Sequence, residues 1–338
     1  MHCLNSGLAV NKKTQKQLEE YLAKPPRLLK RPLDKNELIA YINSPNLGDS
    51  LIGLVTVNNL IRNGYKVDVF GDYAYSLRDW FPSMSIFPAI KVEEQPKLAQ
   101  YPTVLHMHER AISKAIESWH PHSVVLYHES LFRLLLSEID LQTITCKVQL
   151  GLNDVVRGNN ITPLRGLIAD RHDKRVMLHP TSTAVLRNWP EKKFVQLSKM
   201  LIDRGFTPHF IVSPGERPVW EKIVYDNAKL PEETLPNFAS LSDVAAWLYE
   251  SGYFIGNDSG IGHLASNVGL PTLSIIIRKS LAIHWHPDFN PAGVVVLPPA
   301  WLLPRFIKEK FWKQCTSVSR VLKKFNKLRT LKHQEDKG

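Results

Sequence analysis

Gly256-Asn257-Asp258-Ser259-Gly260-Ile261-Gly262-His263-Leu264-Ala265 is the stretch that decides the fold of this 338-residue chain. An apolar run at 253–255 leads into this polar, glycine-rich turn. A helical segment follows at once, and a second apolar run comes at 271–277. Strand, glycine-rich turn, helix and strand in that order is how α/β proteins aim the N–H groups of a helix N-terminus at a phosphate. Asp258 or Ser259 is suited to cap the helix. Gly260 removes a side chain where a ligand would approach the backbone, and His263, four residues beyond Ser259, shares its face. A helix end contributes about 0.3–1 kcal/mol per negative charge, up to about 2. That is too little to hold a diphosphate against water, so a cationic side chain must assist. Taken alone, the same residues also describe an ordinary capped helix with a hydrogen-bonded histidine.

The alternation continues outward on both sides. The second half reads as strands at 175–179, 209–213, 253–256, 272–277 and 293–297. Helices are expected at 191–204, 217–227, 241–250 and 259–268. The first half reads as strands at 38–43, 66–70, 103–108, 123–127 and 146–150, with helices at 49–62, 110–119 and 131–139. Such alternation predicts parallel sheets with helices on their faces. The expected organisation is a basic leader (1–36), a Rossmann-like domain (37–152), a polar linker (153–174), a second Rossmann-like domain (175–304) and a basic C-terminal helix and tail (305–338).

Charge is uneven. The net +11 consists of +5 on residues 1–36, +8 on residues 305–338 and −2 on everything between. Basic ends of this kind attract anionic membranes or nucleic acid, and they also serve simply as solvated helix faces. No apolar run reaches the length of a membrane span. The N-terminal residues lack a signal-peptide core, which argues for a cytoplasmic protein. Three scattered cysteines, Cys3, Cys146 and Cys315, form neither a metal spacing nor a disulfide framework.

Two further constellations carry chemistry. His179-Pro180-Thr181-Ser182-Thr183 runs on to Arg187-Asn188-Trp189-Pro190. Its hydroxyls can donate to phosphate oxygens and Arg187 can pair with them bidentately, while Trp189 reads as packing. Asn43-Ser44-Pro45-Asn46-Leu47-Gly48-Asp49 sits at the carboxyl end of the first strand, where α/β sheets bind ligands. Asp49 is there either a helix cap or a general base. His106, His108, His120, His122 and His128 read as core or surface histidines. No Asp-x-Asp, Walker or Gly-x-Ser-x-Gly motif occurs.

In this order the three constellations resemble glycosyltransferase family 9, the lipopolysaccharide heptosyltransferases. Leu47-Gly48-Asp49 is similar to the family's first turn. His179 to Thr183 with Arg187 and Trp189-Pro190-Glu191 is similar to its second-domain entry. Asp258-Ser259-Gly260-Ile261-Gly262-His263, followed by Pro271-Thr272, is similar to its Asp-Thr-Gly-x-x-His run. The resemblance implies two Rossmann-like domains facing a cleft (the GT-B arrangement). It also implies inverting, metal-independent transfer of heptose from ADP-heptose to a lipopolysaccharide precursor, with no cofactor. Asp49 would be the base. Thr181, Ser182, Thr183, Arg187, Asp258, Ser259, Gly260 and His263 would line the nucleotide-sugar site, with Glu216 near the ribose and Lys279 facing phosphate. The implied partners are a nucleotide sugar and an anionic lipid-linked acceptor (Kdo–lipid A or core oligosaccharide) at the inner face of the inner membrane, with no nucleic acid. The chain departs from the family at Arg278-Lys279-Ser280, where many members have Gly-Pro-Thr. Two rival readings stay open on sequence: a nucleotide-sugar epimerase or other enzyme on the same frame, and a non-catalytic basic protein that binds nucleic acid or membrane.

Overall fold

The computed structural model describes residues 12–299 and 311–335. The chain divides into two compact units, Met1–Thr162 and Pro163–Gly338.

The first unit is a parallel sheet of β1 (Leu38–Ile42), β2 (Lys66–Phe70), β3 (Ser85–Phe87), β4 (Thr103–His106) and β5 (Ser123–Val125), in spatial order β3-β2-β1-β4-β5. β1 is central and four of its five residues are buried, as a strand covered on both faces must be. The Leu47–Arg62 helix follows it and buries most of its length. It packs beside the Glu138–Val148 helix, where the Thr56 hydroxyl donates to Gln142 Oε1 at 2.9 Å. The strand expected at 146–150 is therefore helix. Ser137 caps it, accepting from the Asp140 N–H at 3.2 Å, with Glu138 and Asp140 in the first turn. These N-terminal signals outweigh the short alternation Cys146-Lys147-Val148-Gln149-Leu150.

Parts of the leader and of the expected linker belong to this unit. The Lys12–Ala23 helix lays Leu18 and Tyr21 against Leu131, Phe132, Leu134 and Leu141. Asn58, Asn59 and Leu51 of the Leu47–Arg62 helix bond Gly158, Val156 and Asn159. The side chain of Arg157 pairs with buried Asp140 at 2.7 Å.

The second unit holds β6 (His172–His179), β7 (Thr207–Phe210), β8 (Ser251–Asn257), β9 (Thr272–Ile275) and β10 (Gly293–Val296), all parallel, in order β10-β9-β8-β6-β7. Its core brings Val176, Leu178, Phe194, Phe210 and Ile255 together with Val321, Phe325 and Leu328 of the C-terminal helix Val318–Glu335. That helix spends several of its cations internally. Lys332 pairs with Asp170 at 2.5 Å, Arg320 donates to the Leu297 carbonyl at 2.9 Å, and Arg329 lies over the Phe206 ring. Lys323 and Lys327 stay exposed. The expected helix start at 305–310 lies outside the described residues.

Candidate active site

In each unit the chain leaves the first strand, adds neighbours on one side, then crosses to the other. That reversal is a topological switch point, the place where open α/β sheets bind ligands outside the carboxyl ends of the strands. In the first unit it lies between β1 and β4, and in the second between β6 and β8.

At the second switch point two loops converge. His179 of β6 is level with Gly256 of β8. A Cβ on Gly256 would stand 2.6 Å from the Phe254 ring of its own strand and 3.1 Å from the His179 carbonyl of β6. This close approach is a reason for the glycine that is independent of any ligand. After β8 the Gly260–Asn267 helix begins, with Ser259 extended at its N-cap and no side-chain cap bond. The Ser259 hydroxyl is buried and has no hydrogen-bond partner. The helix therefore offers first-turn N–H groups that no side chain of its own satisfies, a ready receptor for an anion. His263 is buried one turn on. The Asp258 carboxyl is pushed up to about 6 by burial, and the nearby charge of Arg187 opposes the rise. Arg187 itself is exposed on a short 3-10 turn, Val185–Arg187.

The hydroxyl-rich turn is held from beneath. Glu216 Oε2 accepts from the Thr181 hydroxyl (3.2 Å), the Ser213 hydroxyl (2.7 Å) and the Ser213 N–H (2.9 Å). The Ser182 hydroxyl donates to Asn188 Oδ1 at 2.6 Å. Of the three hydroxyls, only that of Thr183 belongs to an exposed residue. Lys279, exposed, opens the Lys279–Trp285 helix beyond β9, one strand over from Asp258 at the same end of the sheet. Trp189 is 1% exposed and packs edge-on against Phe194 at 5.0 Å, so it is a core residue and not a stacking platform.

The first switch point carries charge of another kind. Asp49 is not a helix cap: Asn46 is the N-cap and Asp49 occupies the third helical position, half-buried. Its Oδ2 accepts from Asn46 Nδ2 at 3.0 Å and from the Ser44 hydroxyl at 3.4 Å, and Arg110 Nη2 donates to Ser44 Oγ at 3.3 Å. Two further groups feel the charge of Asp49. The Glu138 carboxyl, 5% exposed, is pushed up to about 8, by burial first and by Asp49 second. The His108 imidazole is lowered by burial, which the attraction of Asp49 offsets only in part. On sequence Glu138 reads as the end of a helix, and His108 lacks the neighbour that only the β1–β4 pairing supplies. His106 and His120 are core histidines, His106 bonding Ser123 Oγ and His120 the Tyr101 carbonyl. Among the described residues no group of three or more His, Cys, Asp or Glu stands together as a metal-holding cluster.

Two parallel-stranded units with polar, ligand-ready switch points place the protein among the α/β proteins built from two Rossmann-like domains, the fold class expected from sequence. The family model for glycosyltransferase family 9 (heptosyltransferase) matches residues 96–309. The chain belongs to that family and is a glycosyltransferase. The matched segment holds the second-unit site residues from His179 to Lys279, whereas Asp49 lies ahead of it. Solved structures agree in fold. A glycosyl transferase of family 9 from Veillonella parvula covers 88% of this chain and 98% of its own at 15% identity, with a TM-score of 0.68. E. coli heptosyltransferase WaaC, solved with ADP, covers 86% and 99% at 16% identity and 0.64. E. coli ADP-heptose lipopolysaccharide heptosyltransferase II covers 87% and 99% at 16% identity and 0.64. Among curated proteins no sequence matches.

Proposed function

We propose that the protein is an inverting, metal-independent heptosyltransferase that moves heptose from ADP-heptose onto a lipopolysaccharide core precursor. The observation that carries the donor half is the uncapped helix after Ser259 beside Arg187 and the hydroxyl turn, at the switch point of the second sheet. The backbone N–H groups at Ser259–Gly260, the exposed Thr183, Arg187 and Lys279 receive the diphosphate, while the Thr181 and Ser182 hydroxyls, already donating to Glu216 and Asn188, shape the turn. Glu216 lies toward the ribose, and Asp258 and His263 line the same site. Asp49 supplies the other half. It takes the proton of an acceptor hydroxyl as that oxygen bonds to the anomeric carbon and the carbon–oxygen bond to ADP breaks. Attack opposite the leaving group inverts the centre. Fixed cations and helix N–H groups then stabilise the departing ADP, the role that a metal bound by Asp-x-Asp fills elsewhere. The relatives described as heptosyltransferases, two of them named with ADP or ADP-heptose, support this choice of donor.

A panel of nucleotides and nucleotide sugars, read by thermal shift, tests the donor. A ligand at 100 times its dissociation constant adds about 2.7 kcal/mol of stability. Selective stabilisation by ADP compounds is expected, and equal or stronger stabilisation by UDP compounds would contradict it. We also propose that the exposed lysines of the C-terminal helix, with the basic N-terminal segment, hold the enzyme at an anionic membrane face. Among the described residues no helix is long and apolar enough to cross a membrane. Val321, Phe325 and Leu328 are core residues, so deleting the helix would test folding instead. Replacing the exposed Lys323 and Lys327 by Gln should weaken sedimentation with phosphatidylglycerol vesicles and leave melting unchanged. Undiminished vesicle binding would remove these lysines from the proposal.

A further inference from the structure

We propose that Asn257 is a positioning residue for donor binding, its one amide locking the two anion-receptive loops of the second unit in register. The proposal rests on the donor reading above and adds a residue to it. Asn257 ends β8 and is 1% exposed. Its Oδ1 accepts the backbone N–H of Trp189 at 2.9 Å, and its Nδ2 donates to the Pro180 carbonyl at 2.6 Å. Pro180 opens the hydroxyl loop after β6 and Trp189 closes it. A single side chain therefore clamps both ends of the loop that carries Thr181, Ser182, Thr183 and Arg187. Asn257 is also the residue immediately before Asp258 and Ser259. The spacing between loop and helix N-terminus is thus set by one buried group.

The clamp is anchored. The indole Nε1 of Trp189 donates to the Thr316 carbonyl at 2.8 Å, and Lys193 Nζ donates to the same carbonyl at 2.9 Å and to the Lys313 carbonyl at 2.6 Å. The loop tip between the clamped ends is loosely held, with Val185 and Leu186 70% and 85% exposed. Orientation of Arg187 therefore depends on the clamp. The chemistry is specific to an amide, since an acceptor and a donor are both needed on one short side chain. An ionised aspartate has no donor and sets its oxygen against the Pro180 carbonyl, whereas a protonated aspartic acid restores both bonds.

The test is ADP binding by calorimetry to the full chain. Asn257→Leu, close in size and without either bond, should weaken ADP by about 10- to 100-fold, the cost of misplacing a prepared group by about an ångström. Asn257→Asp should recover much of that loss at pH 5 and lose it again at pH 8. Each ratio is taken against the wild type at the same pH, so that Asp258, Glu216, His179 and Arg187, which are common to both, cancel. Wild-type affinity in Asn257→Leu, or an Asp variant as weak as Leu at pH 5, overturns the proposal. If the variants fail to fold, hydrogen exchange on the wild type decides. ADP should protect peptides covering 180–189 and 256–263 with the same concentration dependence. Protection of one alone overturns the clamp and leaves the donor reading standing, while protection of neither overturns both.

Discussion

The two units reach similar ends by different strand orders. Counted within its own sheet, the first unit runs 3-2-1-4-5, the first five strands of the 3-2-1-4-5-6 dinucleotide-binding order, and the second runs 2-1-3-4-5, the flavodoxin-like order. In both, the first strand lies at the switch point and feeds a polar loop. The loops differ in what they carry. In the first unit they bear ionisable side chains, Asp49 with Glu138, His108 and Arg110 nearby. In the second they bear hydroxyls, an exposed arginine and helix N–H groups. On the function proposed above, the first end moves a proton and the second receives an anion, a difference that topology alone does not show.

The contrast breaks first at Asp49. Asp49→Asn should lower turnover by about 10²- to 10⁴-fold, the usual contribution of a positioned base, in a steady-state transfer assay. Near-normal turnover would take the base away from the first unit. Next in size is Arg187→Ala, which should weaken ADP about tenfold, the value of one charge-assisted hydrogen bond. Loss of turnover at saturating donor, with ADP affinity intact, would move Arg187 out of the donor site.

Two smaller effects depend on pH. The Asp258 carboxyl has its folded value raised to about 6. An incoming diphosphate favours its neutral form, so ADP affinity should fall several-fold as pH rises through about 6, and Asp258→Asn should flatten that profile. The same sign governs stability at the first unit. The folded value of Glu138 is raised to about 8, so its contribution is fully present below the ordinary carboxyl range and is lost as pH climbs through about 8. Melting temperature should decline over that window, and Glu138→Gln should decline less. A variant whose melting tracks the wild type from pH 5 to 9 would show that Glu138 is not the buried carboxyl described here.

How much of this the sequence disclosed follows from the range of each interaction. The β8 turn, the hydroxyl loop and the Leu47-Gly48-Asp49 turn are contiguous stretches, and their elements fall where periodicity and glycine placed them. The strand β3 and the Lys279–Trp285 helix are not legible in the sequence: β3 is three residues with a single buried side chain, unlike the apolar run around β5, and the helix spans only two turns. The Arg217–Asn227 segment was expected as one helix but loosens into a π turn after Glu221. Asn257, Glu138 and His108 were not read as site residues, because each acquires its role from a strand or helix distant in sequence. Capping was the competing explanation for Asp49, and only the observed start at Asn46 removed it.

The division of labour between the units is tested most directly by titrating ADP into Asp49→Asn and Arg187→Ala side by side. The first should bind ADP as the wild type does while transferring almost no sugar, and the second should bind it about tenfold more weakly. Weakened ADP in Asp49→Asn together with wild-type affinity in Arg187→Ala would contradict the assignment of the donor to the second switch point.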